Sequence, residues 1–597
     1  MASSVKTAQF GQLVHFLSRG KIFPYPEEQP DFVLPEKYGG PSTSATSISG
    51  ATMNEKEELA KKVDTEPQEQ LQEDGQRKGL QDAHDIERQP SAPHSILPGG
   101  DALTRAISSN RSIRIPEAEN KDKDIILVDW YSDTDPENPQ NWSFSKKVLV
   151  TLLISQMTFG VYAGSAIYTP SIEGVMEEFH VGLTKGVLGL SLFVFGYGIG
   201  PLFLSPLSEV PIIGRNWTYI PSMMVFVLFN IGAADAPNYS TLMAFRFLTG
   251  FFGSPALATG GASLGDIWSQ IKLPFPIAIW AVGAVCGPVL GPVIGGFSAM
   301  NLNWRWPLWL LVIASGLSTA LIFLLLPETY APNILLHRAR RLRKLTGNDK
   351  IRSQGELDQA ALTATQLLEE ALARPFILSF EPVVFYTSLY LGIAYACFYL
   401  FFESFPIVYI QFYHFNLGES GLPYLGLAVT GVLTLIFYLW YLEKVFNPRF
   451  LAKASKGIIV PEDRLAIALF ASVFVPVSMF GFGWLARPSI HWIAPTIFAS
   501  LLLPGVFLLF QSILVYLPMS YPEHAASVLA ANDMIRSLIA GAFPLFGHAL
   551  FTNLGNESVG KGCSVVGGIF IALIAPLWAL KRYGHHLRRW SKYAHVY

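Results

Sequence analysis

The stretch Ala281–Phe297, AVGAVCGPVLGPVIGGF, decides how the rest of the chain is read. Gly283, Gly287, Gly291 and Gly295 recur every four residues, and Pro288 and Pro292 follow two of them directly. On a helix that spacing places the glycines in one slowly turning row. In water both residue types weaken a helix. In a bilayer the backbone finds no water to bond, and a helix remains the available solution. The glycine row then admits a second helix at very short range, and the prolines bend the segment. Two readings follow. The row is a seam on which two halves of a membrane protein rock, or it is a static helix–helix contact of small residues.

The surrounding composition supports the membrane setting. Of 597 residues, 51% are hydrophobic and 15% charged, well below the roughly 25% charge content of a soluble domain. Residues 1–146 are polar, and 42–123 are rich in Ser, Glu, Gln, Asp and Pro with few aromatics. That composition predicts disorder. Phe10, Leu13, Val14, Phe16 and Leu17 could form one face of a short interfacial helix. The net charge of -2, with no basic aromatic surface, argues against a nucleic-acid partner. Cys286, Cys397 and Cys563 lie scattered in or beside apolar segments and make no disulfide framework.

Crossing a bilayer takes about 20 mostly apolar residues. Such segments fall at 147–170, 187–207, 217–236, 239–262, 273–299 and 306–326, and again at 383–410, 422–442, 465–485, 492–517, 525–552 and 564–583. The fold class expected is an all-α polytopic membrane protein, with twelve transmembrane helices in two six-helix bundles at 147–326 and 381–583. A linker at 327–380 joins them, and a tail at 584–597 closes the chain. Basic clusters fall in the linker (Arg338, Arg340, Arg341, Arg343, Lys344), after span eight (Lys444, Arg449, Lys453) and in the tail (Arg588, Arg589). By the positive-inside rule they place both termini in the cytoplasm. A sequon, Asn556-Glu557-Ser558, falls in the last outer loop.

No P-loop, metal-ligand spacing or nucleophile elbow is present, so no cofactor, metal or enzymatic activity is expected and any work comes from a gradient. Charges inside a membrane are costly and mark candidate sites. Arg246 lies in span four with no acid nearby in the span; it either serves coupling or braces the bundle through carbonyls. Glu403 lies among aromatics in span seven, as a proton carrier or as a hydrated acid near the outer surface. Asn532, Asp533 and Arg536 lie in span eleven, where Asp533 and Arg536 are spaced to pair along one helix face near its cytoplasmic end. The run from Gly200 to Arg215 leaves span two, and Glu209 and Arg215 could latch the two halves through neighbouring helix ends. Tyr395, Phe398, Tyr399 and Phe402 of span seven, with Phe507 and Gln511 of span ten and Asn532 of span eleven, would line a cavity for flat apolar molecules. The alternative for most of these rings is lipid-facing bulk.

Several stretches in fixed order carry a resemblance: DPENPQNW, SAIYTPSIE, GPLFLSPLSE with GR beyond it, FRFLTGFFGSPALATGGASLGDIW, GAVCGPVLGP, NWRWPLW, LPETYAPNILLHRARRLRKLTGN and AANDMIRS. The chain resembles the major facilitator superfamily, in its twelve-span fungal drug:proton antiporter branch of benomyl, caffeine and fluconazole resistance exporters. The resemblance implies two six-helix bundles, a central cavity and alternating access. It implies a proton-transfer role for Arg246, an antiporter motif on the glycine row of span five, and a cytoplasmic gating motif at Gly200, Glu209 and Arg215. Glu209 stands where Asp is frequent, and Val210–Ile213 lengthens that turn.

The expected function is therefore proton-coupled efflux of small apolar drugs or toxins from the plasma membrane. Small apolar molecules, protons and the bilayer are its partners, and the chain acts as a monomer. Glu403 or Asp533 would carry the proton, with Arg246 tuning it. Export of one endogenous metabolite, toxin or polyamine is the neighbouring alternative. A non-transporting membrane receptor or scaffold is the alternative of another class.

Overall fold

Long runs of Leu, Val, Phe, Ala and Gly become helices here because each backbone N–H must be satisfied within its own segment. The structure, a computed structural model, describes residues 2–18, 21–29, 32–39, 125–269, 272–360, 373–454, 460–555, 557–591 and 593–594. The expected disorder of 42–123 and Asn556 of the sequon lie outside the described residues.

Twelve long helices follow in order: α1 (Phe144–Ala166), α2 (Leu183–Leu207), α3 (Gly214–Ala234), α4 (Tyr239–Ala258), α5 (Pro274–Asn301) and α6 (Trp306–Leu325), then α7 (Pro382–Phe412), α8 (Tyr424–Tyr441), α9 (Pro461–Leu485), α10 (Ile493–Ser520), α11 (Ala525–Thr552) and α12 (Ser558–Trp590). Eleven of these are apolar enough to cross a membrane by length and composition. The twelfth, α4, carries Arg246 and packs extensively on α2 and α3. The last helix runs to Trp590, so the first part of the expected tail is helical. Cys397 and Cys563 are buried free thiols and Cys286 is a half-buried one.

Packing repeats between the halves. The pairs α1–α5, α2–α4 and α3–α6 recur as α7–α11, α8–α10 and α9–α12. The two bundles meet through α2–α11 and α5–α8, the pairing that a twofold relation between halves produces.

A cap of polar chain covers the termini side of the first bundle. Strand β1 (Ile126–Leu127) pairs in parallel with β2 (Ile351–Arg352), joining the segment before α1 to the linker. The linker helix Ala331–Thr346 places Arg338, which is fully buried, against Asp135 at 2.7 Å and Glu137 at 2.6 Å. Arg341 reaches Glu27 at 2.9 Å and Glu137 at 3.1 Å, and Tyr131 donates its phenol to Glu27. The rings of Tyr131 and Tyr25 lie under the two guanidinium groups at 4.0 and 4.1 Å. This clasp draws on three distant parts of the chain. The helix Gln9–Leu17 packs on α6, with the Phe10 ring edge-on to Phe323.

Candidate functional site

The glycine row of α5 faces α1. A Cβ at Gly287 would lie 2.7 Å from both Ala163 N and Phe159 O, and one at Gly283 2.8 Å from Ser155 O. At Gly291 and Gly295 the nearest atoms are Ile167 N and Ile167 O. The row therefore joins two helices of the same bundle at backbone contact, which corrects the expectation that the halves slide on it. Pro288 and Pro292 are buried inside the helix without ending it. The other bundle is met on the adjoining face of α5. A Cβ at Gly296 would lie 2.7 Å from Leu417 O, and one at Gly421 2.8 Å from Val293 Cα. These contacts close the two bundles at the end away from the termini.

Arg246 is fully buried. Its Nε donates to Gly189 O of α2 at 3.0 Å and one terminal nitrogen donates to Gly164 O of α1 at 2.8 Å. Its guanidinium lies 4.7 Å from the Tyr168 ring centre and 4.6 Å from that of Phe193. The other terminal nitrogen has no hydrogen-bond partner, and no carboxylate pairs with this arginine among the described residues. Carbonyls and ring faces thus hold a full positive charge inside the first bundle, as one of the two readings of Arg246 expects.

The next residue after Gly164 carries the connection across the molecule. Tyr399 of α7 donates its hydroxyl to Ser165 Oγ at 3.1 Å. Tyr197 of α2 meets the hydroxyls of both Tyr395 and Tyr399 at 3.0 Å, and the Tyr162 ring lies edge-on to Tyr197. Four phenols thus share an apolar centre between the bundles, each with its polar tip turned inward.

One helical turn beyond Tyr399, Glu403 is 5% exposed, and its Oε1 has no hydrogen-bond partner. The hydrated reading of Glu403 is corrected: the side chain lies against α11, where Gly547 leaves it room. Asp533 and Arg536 pair as their spacing predicts. The Arg536 guanidinium lies over Phe510 at 4.8 Å and Tyr395 at 5.4 Å. The pair therefore stands under the phenol group, in the first half of its helix. Asn532 is buried and donates to Ser388 Oγ.

Of the expected cavity residues, Tyr395 and Tyr399 belong to this centre. Phe398 packs edge-on to Phe402, which stacks on Tyr424 of α8. Phe507 belongs elsewhere, edge-on to Tyr438. Gln511 is buried on α10.

The gating residues form a second polar group. Gly200 allows α2 to touch α4, since a Cβ there would lie 2.5 Å from Phe251 O. Arg215 pairs with Asp266 at 3.2 Å and donates to Ser208 Oγ at 2.8 Å. Tyr330 donates its hydroxyl to the Glu209 carbonyl. Glu328 accepts the backbone N–H groups of Arg215 and Asn216, capping the start of α3. Gly214 turns there with φ +73, where a Cβ would lie 2.8 Å from Glu328 Oε2. These bonds tie the α2–α3 turn to the chain after α4 and to the start of the linker, so they latch within one bundle and its linker.

A family profile described as the Major Facilitator Superfamily matches residues 154–544. The chain belongs to that superfamily. It is 44% identical over 473 residues to "Transporter mfs1" of Schizosaccharomyces pombe, covering 79% of this chain and 89% of that one. It is 37% identical over 604 residues to the "Cycloheximide resistance protein" of Candida maltosa, covering both in full. It is 41% identical over 473 residues to "Fluconazole resistance protein 1" of Saccharomyces cerevisiae, covering 79% and 85%. Among solved structures, the xylose transporter XylE from E. coli in a partially occluded inward-open conformation aligns with TM-score 0.51 at 14% identity, over 72% of this chain and 99% of that one. That likeness bears on the fold alone.

The chain is thus a multi-pass major facilitator transporter and not an enzyme. Sequence reading missed Tyr162, Tyr197 and Ser165 of the centre, and Asp266 and Glu328 of the latch. A hydroxyl inside an otherwise apolar span was the available signal, because such a group needs a partner when buried.

Proposed function

We propose that this transporter exports small, mostly apolar molecules in exchange for protons, by alternating access, from a plasma membrane with both termini in the cytoplasm. The drug-resistance names of its relatives and its three basic clusters support that reading. The observation that carries the coupling is a succession of polar groups across the two bundles. Arg246 holds the Gly164 carbonyl, the adjacent Ser165 accepts from Tyr399, and Glu403 stands one turn beyond Tyr399 with an unbonded oxygen.

An unpaired carboxylate is costly to carry through a closed apolar core. Glu403 therefore crosses the empty return step as an uncharged acid, loaded from the far side. On the substrate-loaded step the fixed Arg246 charge in the facing bundle balances the bare carboxylate. Substrate lies against Tyr395, Tyr399 and the ring pair Phe398–Phe402, where faces and edges hold flat apolar molecules without strict hydrogen-bond demands.

The test is flux in sealed proteoliposomes under an imposed pH gradient, across a panel that includes fluconazole and cycloheximide. Wild type accumulates substrate against its gradient. Glu403→Gln keeps downhill exchange and loses the pH drive, and Arg246→Ala loses coupled flux while remaining in the membrane. Wild-type pH-driven accumulation by Glu403→Gln refutes the proton path.

A further inference from the structure

Two adjoining cavities at the termini end of the first bundle lie outside the transport path. One, about 420 Å³, is an apolar groove on the outer face of the bundle, lined by Leu204, Leu207, Trp217, Pro221, Val225 and Phe252. The other, also about 420 Å³, is walled by Leu336, Arg340, Arg352, Glu356 and Gln359. Ile212 lines both, so the apolar groove runs into the polar one. Trp217, in the first turn of α3, is 59% exposed beside the groove.

The charges in the polar cavity do not cancel. Glu356 is already matched, its carboxylate held two-pronged by Arg343 at 2.7 and 3.0 Å and by the Ser353 N–H. Arg340 and Arg352 are exposed and enter no ion pair among the described residues. Both stand on held elements, the linker helix and β2, so their separation is fixed.

We infer that the two cavities together bind one anionic phospholipid of the leaflet on the termini side. An acyl chain fills the groove and the phosphate headgroup lies against Arg340 and Arg352. A groove of this lining opens to hydrocarbon, so a chain is its natural filling. Two unmatched guanidinium groups at its mouth select net negative charge over a zwitterion, and an interfacial tryptophan stands where headgroup meets tail. The site has a mechanical consequence. Asn333 Nδ2 donates to Pro211 O at 2.7 Å, and Gly355 packs against Pro211. The lipid thus buttresses the turn between α2 and α3 from outside, on the side opposite the Arg215 latch.

The full chain is reconstituted in nanodiscs of phosphatidylcholine containing a minor share of phosphatidylserine, and retained lipid is counted by native mass spectrometry. Wild type retains one phosphatidylserine in preference to phosphatidylcholine. The double substitution R340Q/R352Q lowers that preference about 25-fold, at roughly fivefold per surface arginine. V225W, which fills the groove and leaves every charge in place, also loses the lipid. Inorganic phosphate at millimolar level does not displace it. Loss in R340Q/R352Q without loss in V225W overturns the inference in favour of headgroup adsorption alone. Displacement by inorganic phosphate overturns it in favour of a soluble anion. No preference in wild type overturns it whether or not the variants fold.

Discussion

Replacing Gly287 and Gly296 of α5 separately by alanine should produce two different failures from one chemical change. The new methyl at position 287 would sit 2.7 Å from Ala163 N and Phe159 O, roughly 1 Å inside the ~3.5–4.0 Å optimum for such contacts. Both obstacles are backbone atoms, so no rotamer change relieves them, and α5 must move away from α1. Overpacking of this kind costs about 1–3 kcal/mol. That cost falls on the first bundle in every conformation. Gly287→Ala should therefore unfold at a lower temperature in detergent, with the balance between open and closed far ends unchanged. At position 296 the methyl would meet Leu417 O of the other bundle at 2.7 Å. The same cost now falls only on the state in which the far ends touch, and about 1–3 kcal/mol moves a two-state balance about 5- to 150-fold. Spin labels on the far ends of α5 and α8, on a background lacking Cys286, Cys397 and Cys563, read that balance as a distance distribution. Gly296→Ala should lengthen it and leave thermal unfolding near wild type. If Gly287→Ala shifts the distances as strongly as Gly296→Ala, the assignment of the row to contact within one bundle is wrong.

Other outcomes follow from the polar groups. Arg338→Ala strands the buried Asp135, leaves Glu137 to Arg341 alone, and should cost about 3–5 kcal/mol locally, read as faster hydrogen exchange at 125–131 and 21–29 with the spans still protected. Burial pushes the carboxyls of Asp135 and Glu27 up, but Arg338 beside the first and Arg341 beside the second outweigh it and hold both below their ordinary values. Their contribution is thus complete above the usual carboxylate range, about pH 4, and is lost as pH falls through the lowered values. Pepsin should cut 21–29 and 32–39 readily at pH 2.5 and scarcely at pH 5 when each rate is divided by that for a free peptide of the same sequence; an equal ratio at both refutes the clasp. Tyr399→Phe removes the bonds to Ser165 and Tyr197, each worth about 0.6 kcal/mol and at most ~1.7 in a membrane core. Its unfolding temperature should fall modestly while pH-driven flux falls far more. Arg215→Gln, which removes the bonds to Asp266 and Ser208, should free the α2–α3 turn for cross-linking to a probe on the linker.

The spans were legible because length and apolarity are local properties, and the break between the halves was legible as a loss of both. Arg246 and Glu403 stood out because an ionisable group in such a run has few innocent explanations. Neighbours were not legible. A period of four residues says that Gly283 to Gly295 share a face of a helix and leaves open which helix lies across it, α1 or the other bundle. The clasp was hidden for the same reason. Glu27 sits in PYPEEQP and Arg341 in RARRLRK, 314 residues apart, and each alone reads as ordinary surface charge. Tyr197 was passed over because one hydroxyl in an apolar span looks like a spare ring until two more arrive from α7. The pairing of Asp533 with Arg536 was legible in their spacing, whereas the rings over the guanidinium, from α7 and α10, were not.

The short parallel pairing of Ile126–Leu127 with Ile351–Arg352 has a bearing on biogenesis. It pins the entry to the first six helices to their exit, so that this half forms a loop fastened at its own ends before the second six helices are complete. The second half has no comparable staple among the described residues and must assemble against a partner already complete. Order of synthesis and order of assembly then coincide, which spares the early hydrophobic segments a long wait for contacts that have not yet been translated.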